Sequence, residues 1–308
     1  MIEYEVACEL HYAVHGPAEF VFNIHAARNS HQQVLKETFQ IDGATTWSGH
    51  DDPDLGNRLA RATAPKGALR VHYAATVRVN HTAAPLTAVP EVHPSQLPSE
   101  VLRFLLPSRY CESDRLLNLA MREFGKLPPG ATRVEAVCEW VHQRVRFQSA
   151  TSNASTSALD TIVQGVGVCR DFAHLTISLL RALNIPARLV TGYDYGVPAS
   201  YGPTDFHAYV EAWLGGRWWI FDATRLCPRT GLVRIGTGHD AVDTAFATIF
   251  GPAKYERMRV DIKPYTTDGR VVTIEDDRTL ALSTAGLDDN LRWLAPQSAA
   301  AAILASTA

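Results

Sequence analysis

Apolar and polar residues alternate along the first part of the chain. Residues 2–7 and 71–79 carry a period of two, rich in β-branched and aromatic residues. Between them fall turn clusters at His15-Gly16-Pro17, Asp42-Gly43, residues 49–53 and Pro65-Lys66-Gly67. Short strands at this spacing predict a small β-sandwich over residues 1–80. Residues 81–98 contain Pro85, Pro90, Pro94 and Pro98 and read as an extended linker.

The period then lengthens to that of a helix. Ser113 is the expected N-cap of a helix through Leu116, Leu117, Leu119, Ala120 and Phe124. A break at residues 126–130 separates it from a second apolar stripe of Val134, Val137, Cys138, Val141 and Val145. A polar loop over residues 149–157 leads to a short amphipathic piece with Leu159, Ile162 and Val163. A further helix is predicted to start near Cys169, with Phe172, Leu175, Leu179 and Leu183 on one face and Thr176 and Leu180 completing the stripe. It stops at Asn184-Ile185-Pro186, because proline cannot continue it.

Strand patterns return at residues 187–193, 206–214 and 217–222. A looser region over 225–251 follows. Strands are expected at 255–264 and 270–275, around a Thr267-Asp268-Gly269 turn. From residue 286 onward the chain reads as a tail. The resulting class is α+β, with a second domain over 99–285.

Composition narrows the function classes. The 308 residues are 46% hydrophobic and 20% charged, with net charge −3, ordinary values for a globular protein. This balance gives no basis for a nucleic-acid partner or an anionic membrane surface. The five cysteines (Cys8, Cys111, Cys138, Cys169, Cys227) are odd in number, scattered, and without a C-x-x-C. That argues against a disulfide framework and against a zinc site readable from spacing. All but Cys169 are read as buried or half-buried thiols. The twelve histidines form no metal-ligand motif, and no cofactor is expected. Residues 51–54 suggest a calcium loop only superficially and read as a turn. The N-terminal residues lack a signal-peptide pattern, and the late apolar run at 299–305 is too short for a membrane span. The expected location is the cytoplasm.

Three stretches carry chemistry. In the first, Gly165 and Gly167 lead into Cys169 at a helix start. The positive end of the helix dipole favours a thiolate there, Arg170 adds positive charge next door, and free backbone N–H groups can hold an oxyanion. The second is Asp205 to Leu214 and the third Arg217 to Thr224, joined by Gly215-Gly216, a two-residue hairpin signal. Alternation puts His207, Tyr209, Glu211 and Trp213 on one face. If Leu214 pairs with Arg217, Tyr209 faces Asp222, and His207 becomes the diagonal cross-strand neighbour of Asp222. The carboxylate then orients the imidazole, completing a Cys169–His207–Asp222 triad. Glu211 is the one nearby acidic rival to Asp222. His174 points to another side of the helix and is read as structural, Asp171 as serving the helix start. Trp218, Trp219 and Tyr209 are read as core.

These stretches resemble the transglutaminase-like superfamily of papain-type cysteine enzymes. The likeness lies in Gly167-Val168-Cys169-Arg170-Asp171-Phe172 and the helix through His174, in residues 206–211, and in residues 218–224. Leu106-Pro107-Ser108-Arg109-Tyr110 and Asp114-Arg115-Leu116 resemble the bacterial group with an N-terminal β-domain. The likeness extends over about residues 1–275. It implies Cys169 as nucleophile, His207 as base and acid, and Asp222 as orienting carboxylate. The one departure is Ala223, where the family often has proline; it bears on the turn and leaves the chemistry intact. The implied reaction is acyl transfer from a peptide or protein amide through a thioester, with water as the favoured acceptor. Amine transfer, as in a true transglutaminase, and a non-catalytic peptide-binding module are the alternatives.

Overall fold

The computed structural model describes residues 1–265, 274 and 276–285 of the chain. The expected strand at 270–275 with its turn, and the expected tail from 286, lie outside the described residues, apart from Ile274.

The N-terminal part is two four-stranded antiparallel sheets. One runs in the order Ala253–Tyr265, Ile2–Val14, Gly67–Val79, Gln32–Asp42. The other runs Ala247–Phe250, Ala18–Phe22, Arg58–Ala64, Thr46–Asp51. The alternation noted at residues 2–7 continues through Cys8, Leu10, Tyr12 and Val14, all buried, so the strand extends to Val14. Its inward side chains pack with Phe20, Phe22, Val71 and Tyr73 in a single core.

The second part is a six-stranded sheet, ordered Leu232–Gly238, Ala187–Asp194, Phe206–Leu214, Arg217–Phe221, Leu280–Ser283, Thr82–Pro85. Helix Cys169–Ala182 packs against strand Phe206–Leu214 and is surrounded by helices Ser113–Phe124, Ala131–Arg144 and Ala158–Gln164. Phe172, Leu175, Leu179 and Leu180 are buried, as the helical spacing predicts. Ser113 is the first helical residue, not its cap; Glu112 takes the cap position. No helix among the described residues is long and apolar enough to cross a membrane.

Two segments sit differently from their expected places. Thr82–Pro85, within the expected linker, pairs with Leu280–Ser283 as the edge strand of the core sheet. Pro85 is tolerated at the end of an edge strand because no ladder donor is needed there. Ala247–Phe250 and Ala253–Tyr265, expected in the second domain, instead add to the two N-terminal sheets. Local alternation identifies a strand but cannot say which distant edge it joins. The two parts also bond directly. Tyr193 Oη donates to Ile24 O at 2.8 Å, and Gln32 Nε2 donates to Arg234 O at 2.8 Å.

Candidate active site

Cys169 is the first residue of its helix. Val168 ahead of it is extended, and its N–H donates to Asp171 Oδ2 at 2.9 Å, so Asp171 secures the helix start. Gly167 permits this cap: a Cβ there would lie 2.8 Å from Asp171 Cβ. Asp171 Oδ1 also accepts from Ser152 Oγ at 2.8 Å. Arg170 does not face the sulfur as its neighbouring position suggests. Its guanidinium donates to Asn153 O at 2.7 Å and also bonds Ser152, tying the polar loop down beside the cysteine. Of the five cysteines, all free, only Cys169 is half-exposed.

The hairpin forms in the expected register, with Leu214 opposite Arg217 and Val210 opposite Phe221. Asp222 follows directly, and its Oδ2 lies 3.0 Å from His207 Nε2. Thr224, which sequence reasoning missed, fixes that carboxylate: its N–H and Oγ1–H donate to Asp222 Oδ1 at 2.9 and 2.8 Å. His207 and Asp222 are 3% and 2% exposed, so water hardly competes for this bond. Burial by itself would lower the imidazole. Burial is the largest single influence, but the charge of Asp222, Cys227, the Asp222 hydrogen bond and the approach of Cys169 together outweigh it and hold His207 well above its usual value. Burial likewise pushes Asp222 up, but the charge of His207 and the bonds to it and to Thr224 leave its carboxyl below the ordinary range.

Sequence reasoning also missed Asp194. It ends strand Ala187–Asp194, beyond the Gly192–His207 pairing, and its Oδ2 lies 3.4 Å from His207 Nδ1. Burial, with the negative charges of Asp222 and Asp205, pushes its carboxyl to about 6 against the opposing pull of His207. The strand pattern marked where this segment lay but not its neighbour; only the pairing of two strands reveals the contact.

Asp194, not Glu211, is therefore the second acid at His207. Glu211 is fully buried further along the strand, where it accepts from Arg188 Nε at 2.8 Å and also bonds Arg234. His174 is fully buried, accepts from Ala241 N–H at 3.2 Å and stacks on Tyr110. Burial pushes it down to about 3, which keeps it neutral and structural. Tyr209, Trp218 and Trp219 are buried core residues. At residues 51–54, Asp52 Oδ1 accepts from the backbone N–H groups of Asp54 and Leu55, the geometry of a turn.

A groove of about 330 Å³ adjoins the site, bordered by Phe172 on the cysteine's helix, Thr224, Leu226, Phe147 and Tyr201. His142, Gln143, Arg144 and Arg146 also line it, so its wall mixes aromatic and basic side chains, and it meets the site through Thr224, which holds Asp222.

The family model described as transglutaminase-like superfamily matches residues 119–223, a span that contains Cys169, His207 and Asp222. The model described as bacterial transglutaminase, N-terminal domain, matches residues 2–100. A solved structure from Cytophaga hutchinsonii, described as a "putative cysteine protease", is 38% identical, with a TM-score of 0.85 over 92% of this chain and 98% of that one. An uncharacterized protein of Mycobacterium leprae is 33% identical over 146 residues, 46% of this chain. That match spans 52%, about half, of the Mycobacterium leprae protein. These likenesses support cysteine-based catalysis in general terms. The chain belongs to the transglutaminase-like superfamily, with a bacterial transglutaminase N-terminal domain ahead of its core.

Proposed function

We propose that the protein hydrolyses peptide or amide bonds through a thioester on Cys169. The observation that carries this reading is the buried His207–Asp222 pair, bonded through Nε2, beside the half-exposed Cys169, whose Sγ reaches the backbone O of Phe206, the residue before His207, at 4.0 Å. Asp222 holds Nε2, so the proton exchanged with the sulfur is carried on Nδ1, the nitrogen that also lies 3.4 Å from Asp194 Oδ2. The Cys169 sulfur attacks the amide carbon, and its proton resides on His207. The oxyanion that forms meets backbone N–H groups at the start of the helix, ahead of the first internal bond made by Asp171 N–H to Val168 O. His207 then gives the proton to the leaving amine, which departs as the thioester forms. Water attacks the thioester with His207 as base, regenerating the thiol and releasing the acid.

The Cytophaga hutchinsonii relative, by its description and its coverage, supports the hydrolytic form of this chemistry. The absence of disulfides among the five cysteines supports a reducing, cytoplasmic setting.

The test is profiling of the purified protein with quenched peptide libraries, and in parallel with a glutamine peptide plus a labelled primary amine. Cleavage that Cys169→Ala abolishes is expected. Amine incorporation without cleavage would replace the proposal by amine transfer. Cleavage undiminished in Cys169→Ala would remove the thioester altogether.

A further inference from the structure

The polar cluster at His207 is larger than a triad. Asp194 and Cys227 approach it from the end of one strand and from the loop after Asp222. Their carboxylate oxygen and thiol sulfur and an imidazole nitrogen all lie within 4.8 Å of one another. All three residues are buried, at 6%, 3% and 3% exposure. One oxygen of Asp194, Oδ2, faces His207 Nδ1. The other, Oδ1, has no hydrogen-bond partner among the described residues. An unsatisfied carboxylate oxygen at this depth is costly for a purely structural acid.

We propose that Asp194, His207 and Cys227 form a Zn²⁺ site whose occupancy blocks the base of the active site. The blocking rests on the proposed role of His207; the binding does not. One thiolate, one imidazole and one carboxylate make a donor set for zinc, whereas calcium and magnesium prefer oxygen alone. Zinc bond lengths of about 2.0–2.3 Å put tetrahedral ligand atoms roughly 3.3–3.8 Å apart, so the cluster needs to contract by about 1 Å. Asp222 already occupies the place of the outer carboxylate behind a metal-bound histidine, holding Nε2 and leaving Nδ1 for the metal. Binding releases the Cys227 thiol proton and any proton on Nδ1 to solvent, and forms no bond beyond coordination. With Nδ1 taken, His207 can no longer exchange a proton with Cys169.

The spacing of these residues hides the site from sequence reasoning, which expected no zinc site. Its ligands come from two strands and a loop rather than from one motif. The expectation that no metal is needed for turnover is compatible with this site, because here the metal inhibits.

The experiment is titration of the full-length Cys169→Ala protein with cobalt(II), a spectroscopic stand-in for zinc. One equivalent should bind with a near-ultraviolet thiolate-to-cobalt charge-transfer band, displaced by zinc. The band should vanish in Cys169→Ala/Cys227→Ser, and affinity should fall in Cys169→Ala/Asp194→Asn by more than the about ten- to hundred-fold that loss of an outer carboxylate costs. Absence of the band in Cys169→Ala overturns the site, as does a band that survives Cys227→Ser. Cys169→Ala lacks the proposed nucleophile, so this result is independent of the proposed activity. In the parent protein zinc should inhibit and EDTA should restore the rate; undiminished turnover in saturating zinc would overturn the blocking role.

Discussion

Strand Phe206–Leu214 carries two buried charged clusters on one face, around His207 and, four residues later, around Glu211. At Glu211 each carboxylate oxygen bonds a guanidinium, Oε2 with Arg188 and Oε1 with Arg234. Arginine holds its charge at every accessible pH, so this cluster can only hold position. At His207 the partners are the carboxyls of Asp222 and Asp194 and the thiols of Cys227 and the half-exposed Cys169, with no guanidinium among them. Burial and charge are common to both. What separates them is whether the partners can exchange a proton, and whether one of them reaches the surface.

That contrast is most open to challenge at Asp222. Asp222→Asn keeps volume but can present the wrong hydrogen-bonding group to Nε2. The expected loss is about ten- to thousand-fold in kcat with little change in KM, smaller than in a serine triad because sulfur needs less help from its base. Steady-state kinetics at neutral pH read it. A silent Asp222→Asn would dissolve the distinction between the two clusters.

Glu211→Gln should do the reverse. It removes the negative charge that both arginines bond, at a cost of about 3–5 kcal/mol, seen as a Tm lower by on the order of 10 °C. The folded fraction should keep kcat to within about threefold. A crippled kcat with an unchanged Tm would exchange the roles of the two clusters.

The smallest effect is expected at Asp194. Its folded value near 6 lies above the unfolded one, so the folded protein holds this proton more tightly. Stability from this group therefore falls as pH rises from about 4 to about 6, then levels off. Asp194→Asn removes the penalty. Its Tm should exceed the parent's by a few degrees at pH 7–8, with the difference fading by about pH 4. A difference that grows toward acid would reverse the sign assigned to Asp194. Calorimetry across pH decides it.

Much of this site was legible in the sequence because its parts are local. Gly167, Cys169 and Asp171 specify a helix start within a few residues, and Gly215-Gly216 fixes the hairpin register that brings His207 to Asp222. The rest depends on pairings between distant segments. Asp194 reaches His207 only because Ala187–Asp194 lies beside Phe206–Leu214. Ala253–Tyr265 reads as a strand from its own residues, but its partner Ile2–Val14 begins the chain. Glu211 looked like a rival to Asp222 because Arg188 and Arg234, which hold it, sit on the neighbouring strand and the next one out.

The proposed role of Cys169 as nucleophile is tested most directly by brief iodoacetamide labelling of the native protein at neutral pH, followed by peptide mass spectrometry of all five cysteines. Cys169 should be alkylated far ahead of the buried Cys8, Cys111, Cys138 and Cys227, with its labelling slowed by His207→Ala and turnover lost in step with modification. Full turnover after complete alkylation of Cys169 would contradict its assignment as the nucleophile.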